Sequence, residues 1–333
     1  MHKPNTMAVI GLDLGGTKLS GAIFDQDGNI SFKITDNLAG RKGKDVGKMI
    51  VTWIKTLLDD TKKTNIHING IGISVPGIYY ETSGRVWANN IPGWDDYPLM
   101  HEVYSSINDQ NIKISIDNDR VCSLLGEVWM GNARNCSDVI FLLVGTGIGA
   151  GILANGIIIR GISGAAGAAG WLALDRPYSS KYIPCGCFEY HASGTGIAKV
   201  TGEIIKNNNS YNGILKTKPS GKITAHEIFS AYERNDALAT EVLDQAVEFW
   251  GMAIANLISL FNPEKIILGG GVFGPGLRFM NAILNEAKKW AQPVSINKVQ
   301  LEGSALGTDT ALYGAGYLAL RNLEETMNGA KKI

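Results

Sequence analysis

A pattern that occurs twice constrains this chain most: an apolar strand, a turn of glycine and threonine, a second apolar strand and another turn. The first copy runs from Met7 through Ile10-Gly11-Leu12-Asp13-Leu14 into Gly15-Gly16-Thr17-Lys18, then through Ala22-Ile23-Phe24 to Asp27-Gly28. The second runs from Val139 to Val144 into Gly145-Thr146-Gly147-Ile148-Gly149-Ala150-Gly151, then through Ile152-Leu153 to Asn155-Gly156. Apolar runs of this length bounded by turn residues read as buried strands. Glycine turns carry no Cβ, so their backbone N–H groups can face a bound anion, and each copy reads as a phosphate cradle. Thr17 adds a hydroxyl donor, Lys18 a countercharge, and Asp13 a carboxylate suited to a magnesium ion held largely through water. Either copy alone also reads as an ordinary glycine hairpin, and it is the repetition that favours phosphate.

The second copy also fits the spacing G-x-G-x-x-A of a dinucleotide fingerprint. That fingerprint needs a helix after the glycines. Here Ile152-Leu153 and Ile157-Ile158-Ile159 flank the two-residue turn Asn155-Gly156, a hairpin signal, so the dinucleotide reading is rejected. Two phosphate hairpins, one in each half of the chain, imply two similar lobes gripping a nucleoside triphosphate.

With 333 residues the chain is long enough for two cores, and its 31 Lys+Arg balance 31 Asp+Glu, which points away from nucleic acid and anionic membranes. Its four cysteines form no disulfide framework, Met1 to Thr6 is too short and polar for a signal peptide, and no apolar run reaches membrane-span length. The expectation is a soluble cytoplasmic protein with a small-molecule partner.

Along the chain, Asp45 is the expected N-cap of an amphipathic helix carrying Val46, Met49, Ile50, Trp53, Ile54, Leu57 and Leu58. A strand from Ile66 to Val75 ends in Pro76-Gly77, a structural turn or a ligand contact. Gly84 to Trp94 mixes amide, glycine and aromatic side chains, as a carbohydrate pocket or a surface loop would. The strand Ile112 to Ile116 leads into Asp117-Asn118-Asp119 and a helix, so one of these three is expected to cap it. Glu189 opens a helix running to about Asn207, followed by a polar loop from Lys206 to Lys222, with Thr224 capping before Glu227. A long buried helix carries Leu243 to Phe261, and the strand Lys265 to Leu268 ends in Gly269-Gly270-Gly271, a plain turn or the approach to a flat ligand. The last helix spans about 308–323, with a frayed end over 324–333.

Taken together, the paired phosphate hairpins, Asn118-Asp119 and the triple glycine resemble the actin-like ATPase and sugar kinase superfamily, and within it the ROK family of bacterial sugar kinases and repressors. The resemblance implies an α/β, two-lobed actin-like ATPase (ribonuclease H-like) fold with mixed sheets flanked by helices. It places one lobe at 1–119, joined by the last helix, and the other at 120–307. It further implies that Asn90 and Asn118 hold the sugar, that Asp119 is the catalytic base, that Glu189 is a second sugar ligand and that Gly269-Gly270-Gly271 forms the adenosine wall. A hydroxyl is a poor nucleophile, and a carboxylate in reach orients it and takes its proton during phosphoryl transfer.

The chain also departs from the family. Arg160 to Trp171 is similar to a segment that normally reads Gly-x-x-Gly-x-x-Gly-Glu-x-Gly-His, but the Glu is Ala168 and the His is Trp171. Of the family's zinc motif only Gly186-Cys187-Phe188-Glu189 remains, with Tyr182 and Ser180 at the two earlier cysteine positions. Cys185, Cys187 and His191 are available, but structural zinc takes four ligands and no fourth stands out. A zinc-free protein is expected, with Trp171 offering an apolar face to a glycoside or a modified ring.

The resulting expectation is an ATP- and magnesium-dependent sugar kinase acting on a primary hydroxyl of a hexose or glycoside. Gly15, Gly16, Thr17, Lys18, Gly145, Thr146, Gly147 and Gly269 to Gly271 take the nucleotide, Asp13 lies near the metal, and a homodimer is the family expectation. The alternative is a catalytically silent sugar sensor or a regulator. Family repressors carry a winged helix-turn-helix ahead of the first hairpin, whereas only about a dozen residues precede Asp13, so no nucleic-acid binding is expected.

Overall fold

The computed structural model of the protein describes residues 7–64, 66–107, 109, 111–208, 210–217 and 223–327. The expectations for Met1 to Thr6, for the end of the polar loop at 218–222 and for 328–333 lie outside the described residues. By contacts the chain divides into two units, one of residues 1–135, 160–166 and 309–333, the other of 136–159 and 167–308.

The first unit opens with β1 (Ala8–Leu14), β2 (Lys18–Asp25) and β3 (Ile30–Asn37), followed by α1 (Lys44–Thr64) and β4 (Ile68–Val75). A small ribbon of β5 (Ile78–Tyr80) and β6 (Arg85–Trp87) comes next, then α2 (Leu99–Ser106), β7 (Lys113–Asn118) and α3 (Asp119–Met130). The second unit contains β8 (Val139–Val144), β9 (Ile148–Ala154), β10 (Ile157–Ile158), α4 (Cys187–Ala192), α5 (Gly194–Asn207), α6 (Ala225–Tyr232) and α7 (Ala237–Phe261). It ends with β11 (Lys265–Gly269), α8 (Met280–Trp290), α9 (Pro293–Ile296) and β12 (Gln300–Gly303), after which α10 (Thr310–Met327) rejoins the first unit.

Each unit is built on a five-stranded mixed sheet, in the orders β3-β2-β1-β4-β7 and β10-β9-β8-β11-β12. The connectivity is the same in both: two antiparallel pairings through the hairpin strands, then two parallel ones. The duplication seen in the hairpins therefore extends to whole sheets. The central strands β1, β4, β8 and β11 are buried along nearly their whole length, as parallel strands covered on both faces must be.

In the first unit α10 packs on α3, β1, β4 and β7. Glycine makes that approach possible, because a Cβ on Gly72 would run into the carbonyl oxygen of Ala315 and one on Gly314 into that of Cys122. In the second unit α7 is the core helix, buried from Leu238 to Ile258 on most of its turns. Among the described residues no helix is long and apolar enough to cross a membrane.

Two local expectations are corrected, those for Asp45 and for the helix 189–207, and the expected cap of α3 is found. Asp45 lies inside the first turn of α1 instead of capping it, because the chain enters through a turn in which Asp45 N–H bonds the carbonyl of Lys42. Asn118 is the residue that caps α3, its side chain accepting from Val121 N–H at 3.0 Å. The expected helix 189–207 is two helices broken at Ser193, since Gly194 N–H is withdrawn from the helical ladder to the carbonyl of Gly145 at 2.8 Å. The capping box Thr224–Glu227 is present in full.

Candidate phosphate and sugar sites

In the first unit the turn between β1 and β2 leaves four residues, Gly15 to Lys18, outside the pairing of Leu14 with Leu19. Its closing bond runs from Gly15 N–H to the carbonyl of Lys18 at 2.9 Å, and Gly16 and Thr17 are exposed. Two residues before the turn, Asp13 sits in register with Ser74 of β4, which in turn lies opposite Asp117 of β7. Parallel register thus puts three polar side chains in one row at the carboxyl ends of the strands, where α/β sheets place ligands. Ser74 Oγ donates to Asp13 Oδ1 at 2.8 Å.

Burial pushes the Asp13 carboxyl up to about 6, against the pull of the Ser74 hydrogen bond, and the like charge of Asp119 raises it further. Asp119, at the start of α3, is also raised by burial, with the neighbouring Arg120 guanidinium opposing the shift. Two desolvated carboxylates near a glycine turn suit a divalent cation that keeps most of its waters and needs one or two protein oxygens. Among the described residues no three His, Cys, Asp or Glu side chains are grouped to hold a metal by themselves.

Asn90 comes close to the same turn: a Cβ on Gly16 would lie 3.2 Å from its Nδ2. Between them opens a cleft of about 360 Å³ lined by Gly16, Thr17, Arg41, Lys42, Asn90 and Pro92. Asn118 is more committed than its place in the sequence implies, since its Oδ1 caps α3 and its Nδ2 donates to Asp117 Oδ1 at 3.1 Å.

Sequence reasoning passed over several groups here. Arg160 binds Asp117 Oδ2 through Nε at 3.0 Å and an Nη at 2.7 Å, compensating a nearly buried carboxylate. Arg120 donates to the carbonyl of Gly77 at 3.3 Å, which ties the start of α3 to the Pro-Gly turn after β4. The one usable signal was Ser74-Val75-Pro76-Gly77 at a strand end, which marked the place without naming the partner.

In the second unit the turn between β8 and β9 is one residue shorter, three residues lying between the paired Val144 and Ile148. Gly145 N–H closes it on the carbonyl of Gly147 at 2.9 Å. Glu189, from α4, is held against this turn, with Oε2 accepting from Ile148 N–H at 2.6 Å. Burial raises its carboxyl, and that backbone donor partly offsets the rise. A Cβ on Gly147 would sit 2.6 Å from Glu189 Oε2, so the glycine makes room for the carboxylate. Thr195, also missed, donates its hydroxyl to the carbonyl of Thr146.

The triple glycine divides by cause. A Cβ on Gly269 would enter the ring of Phe141, and one on Gly270, at φ +91°, would meet the carbonyl of Val144, whereas Gly271 faces open space. Two of the three are required by packing, and one is free for a ligand. Trp171 is 59% exposed and Ala168 is exposed, and neither carries a carboxylate or an imidazole.

The glucokinase of Halalkalibacterium halodurans is 33% identical over 319 residues, covering 93% of this chain and 94% of that one. The xylose repressor of Caldicellulosiruptor bescii is 28% identical over 313 residues, covering 90% and 76%. The crystal structure of the ROK hexokinase from Thermus thermophilus superposes with a TM-score of 0.77 at 25% identity, covering 96% of this chain and all of that one, so the fold is that of the two-lobed ROK kinases. The model of the ROK family matches residues 9–322, and this chain therefore belongs to the ROK family.

Proposed function

We propose that the protein is a sugar kinase that moves the γ-phosphoryl group of ATP to a primary hydroxyl of a hexose or a hexose glycoside. The observation that carries this reading is the pair Asp13 and Asp119, two desolvated carboxylates beside an exposed phosphate turn within one unit. Asp119 accepts the hydroxyl proton as the oxygen bonds the γ-phosphorus and the bond to the leaving ADP breaks. Its raised affinity for a proton favours that transfer. Asp13 would hold a magnesium ion, which when bound would neutralise phosphate charge. Gly15 to Lys18, Gly145 to Gly147 and Gly271 take the nucleotide, and Asn90, Asn118 and Glu189 take the sugar hydroxyls.

Trp171 and Ala168 replace polar groups that the family uses on the sugar, which favours an acceptor with an apolar substituent over free glucose. The xylose repressor relative keeps a second reading in play, a sugar-responsive regulator without turnover. A cytoplasmic homodimer completes the proposal.

ADP release from ATP and magnesium, measured across hexoses, amino sugars, ketoses and glycosides with Asp119→Asn as control, tests it. Turnover on one class, abolished by the substitution, is the expected result. Silence across the panel with sugar binding retained in calorimetry would favour the regulator. Micromolar KM for glucose with glycosides ignored would sink the role given to Trp171.

A further inference from the structure

The stretch from Trp171 to His191 is where the family resemblance puts a structural zinc, and its donor set does not fit one. Trp171 has no ligand atom, Ser180 is exposed, and only Cys187 of the motif remains. The hydroxyl of Tyr182, at the second cysteine position, is committed elsewhere. It donates to Asp175 Oδ2 at 2.8 Å and lies 3.0 Å from His191 Nε2.

A tyrosine hydroxyl has one proton, so with Asp175 as its acceptor the contact with His191 is a bond donated by Nε2–H. Nδ1 is then the unprotonated nitrogen, and it is the atom that is buried without a partner. The imidazole stacks on Phe249 at 4.4 Å and 5°, and Tyr182 and His191 are 5% and 6% exposed. Lys181 and Lys199 lie over the ring of Tyr190 at 4.7 and 4.5 Å, and Tyr190 donates to Glu203 at 2.5 Å. The six residues of α4 are too few to hold a helix by themselves, so tertiary contacts fix where Glu189 points.

We propose that Tyr182, Asp175 and His191 form a metal-free lock that positions Glu189 against the second phosphate turn and in the sugar site. This rests on the reading of Glu189 as a sugar ligand. Tyr182 and His191 are positioning residues; they act through α4 and touch no substrate.

The test combines metal analysis, hydrogen exchange and kinetics on the full chain. Protein purified without chelator should carry less than about a tenth of a zinc per chain, and EDTA should leave turnover unchanged once magnesium is restored. Tyr182→Phe should speed exchange in peptides spanning 183–192 and raise the sugar KM about tenfold, the loss of a hydrogen bond of roughly 1.4 kcal/mol, with kcat nearly intact. Asp175→Asn, which keeps an acceptor for the tyrosine proton, should stay within about twofold of the parent. In a Glu189→Gln background Tyr182→Phe should add no further rise in KM.

One tightly held zinc per chain, unchanged exchange in Tyr182→Phe, or an additive effect in the double variant would overturn the lock. An unchanged KM in Glu189→Gln alone would instead remove the sugar role of Glu189, and the exchange data would then decide the lock by themselves. Should Tyr182→Phe fail to fold, Asp175→Ala, at a half-exposed position, carries the same readouts.

Discussion

The two glycine turns share a plan and differ in what stands behind them. Both join antiparallel strands at the centre of sheets with the same strand order, and both close on a glycine N–H. Behind the first, the carboxylate comes from the strand itself: Asp13 is two residues from the turn and is joined by Ser74 and Asp119 through strand register and a helix start. Behind the second, the corresponding strand residue is Leu143, and a carboxylate, Glu189, comes from a helix some forty residues away in sequence with one oxygen, Oε2, bound to Ile148 N–H. The first turn has two carboxylates gathered near it, and the second is a loop held by one.

The largest effect expected of this comparison is on turnover. Asp119→Asn should lower kcat by about a thousandfold, the range for losing a general base, while Glu189→Gln should leave kcat within a few fold and raise the sugar KM about tenfold. Steady-state kinetics on both variants decide it, and equal losses of kcat would erase the distinction between the turns.

Next comes the glycine series at the second site. Gly270→Ala meets the carbonyl of Val144 at a positive φ and should destabilise the protein by about 2 kcal/mol or more. Gly145→Ala and Gly271→Ala have open space around them and should unfold like the parent, yet raise the ATP KM severalfold. Denaturant melts beside ATP titrations separate the two classes; normal ATP affinity in both open-space variants would remove them from the nucleotide site.

The smallest effect is one of stability, and its sign is informative. Asp13 has its carboxyl raised to about 6 from the ordinary 3.8, so between these values the native state binds more protons than the unfolded one and stability falls as pH rises. The charge costs stability above about pH 6. Asp13→Asn should therefore melt about 2–4 °C higher than the parent at pH 7.5, with the gap closing towards pH 4, although its magnesium-dependent turnover is lost. A lower melting temperature for the variant at pH 7.5 would show that Asp13 is stabilising and not strained for function.

Much of this was legible in the residues because it is local. Glycine turns between apolar runs specify hairpins, Asn155-Gly156 forms the two-residue turn its sequence demands with both residues at positive φ, and Thr224 with Glu227 makes a capping box. Asp45 and the helix break at Ser193 were not legible, since each depends on which distant group claims a backbone N–H. Asn118 looked like a free sugar ligand in the sequence, whereas its amide is largely occupied by the cap and Asp117.

What the sequence determined alone is the duplicated hairpin and the place of Asp13 near a strand end and of Asp119 at a helix start. Those follow from side-chain identity and the periods of strand and helix. Only the tertiary structure decided which charges meet. Strand register set Asp13 beside Ser74, an arginine from a distant loop compensates Asp117, and a tyrosine, an aspartate and a histidine from separate segments meet in one cluster. Pairing energies depend on distance and burial, and a sequence carries neither until the chain has folded.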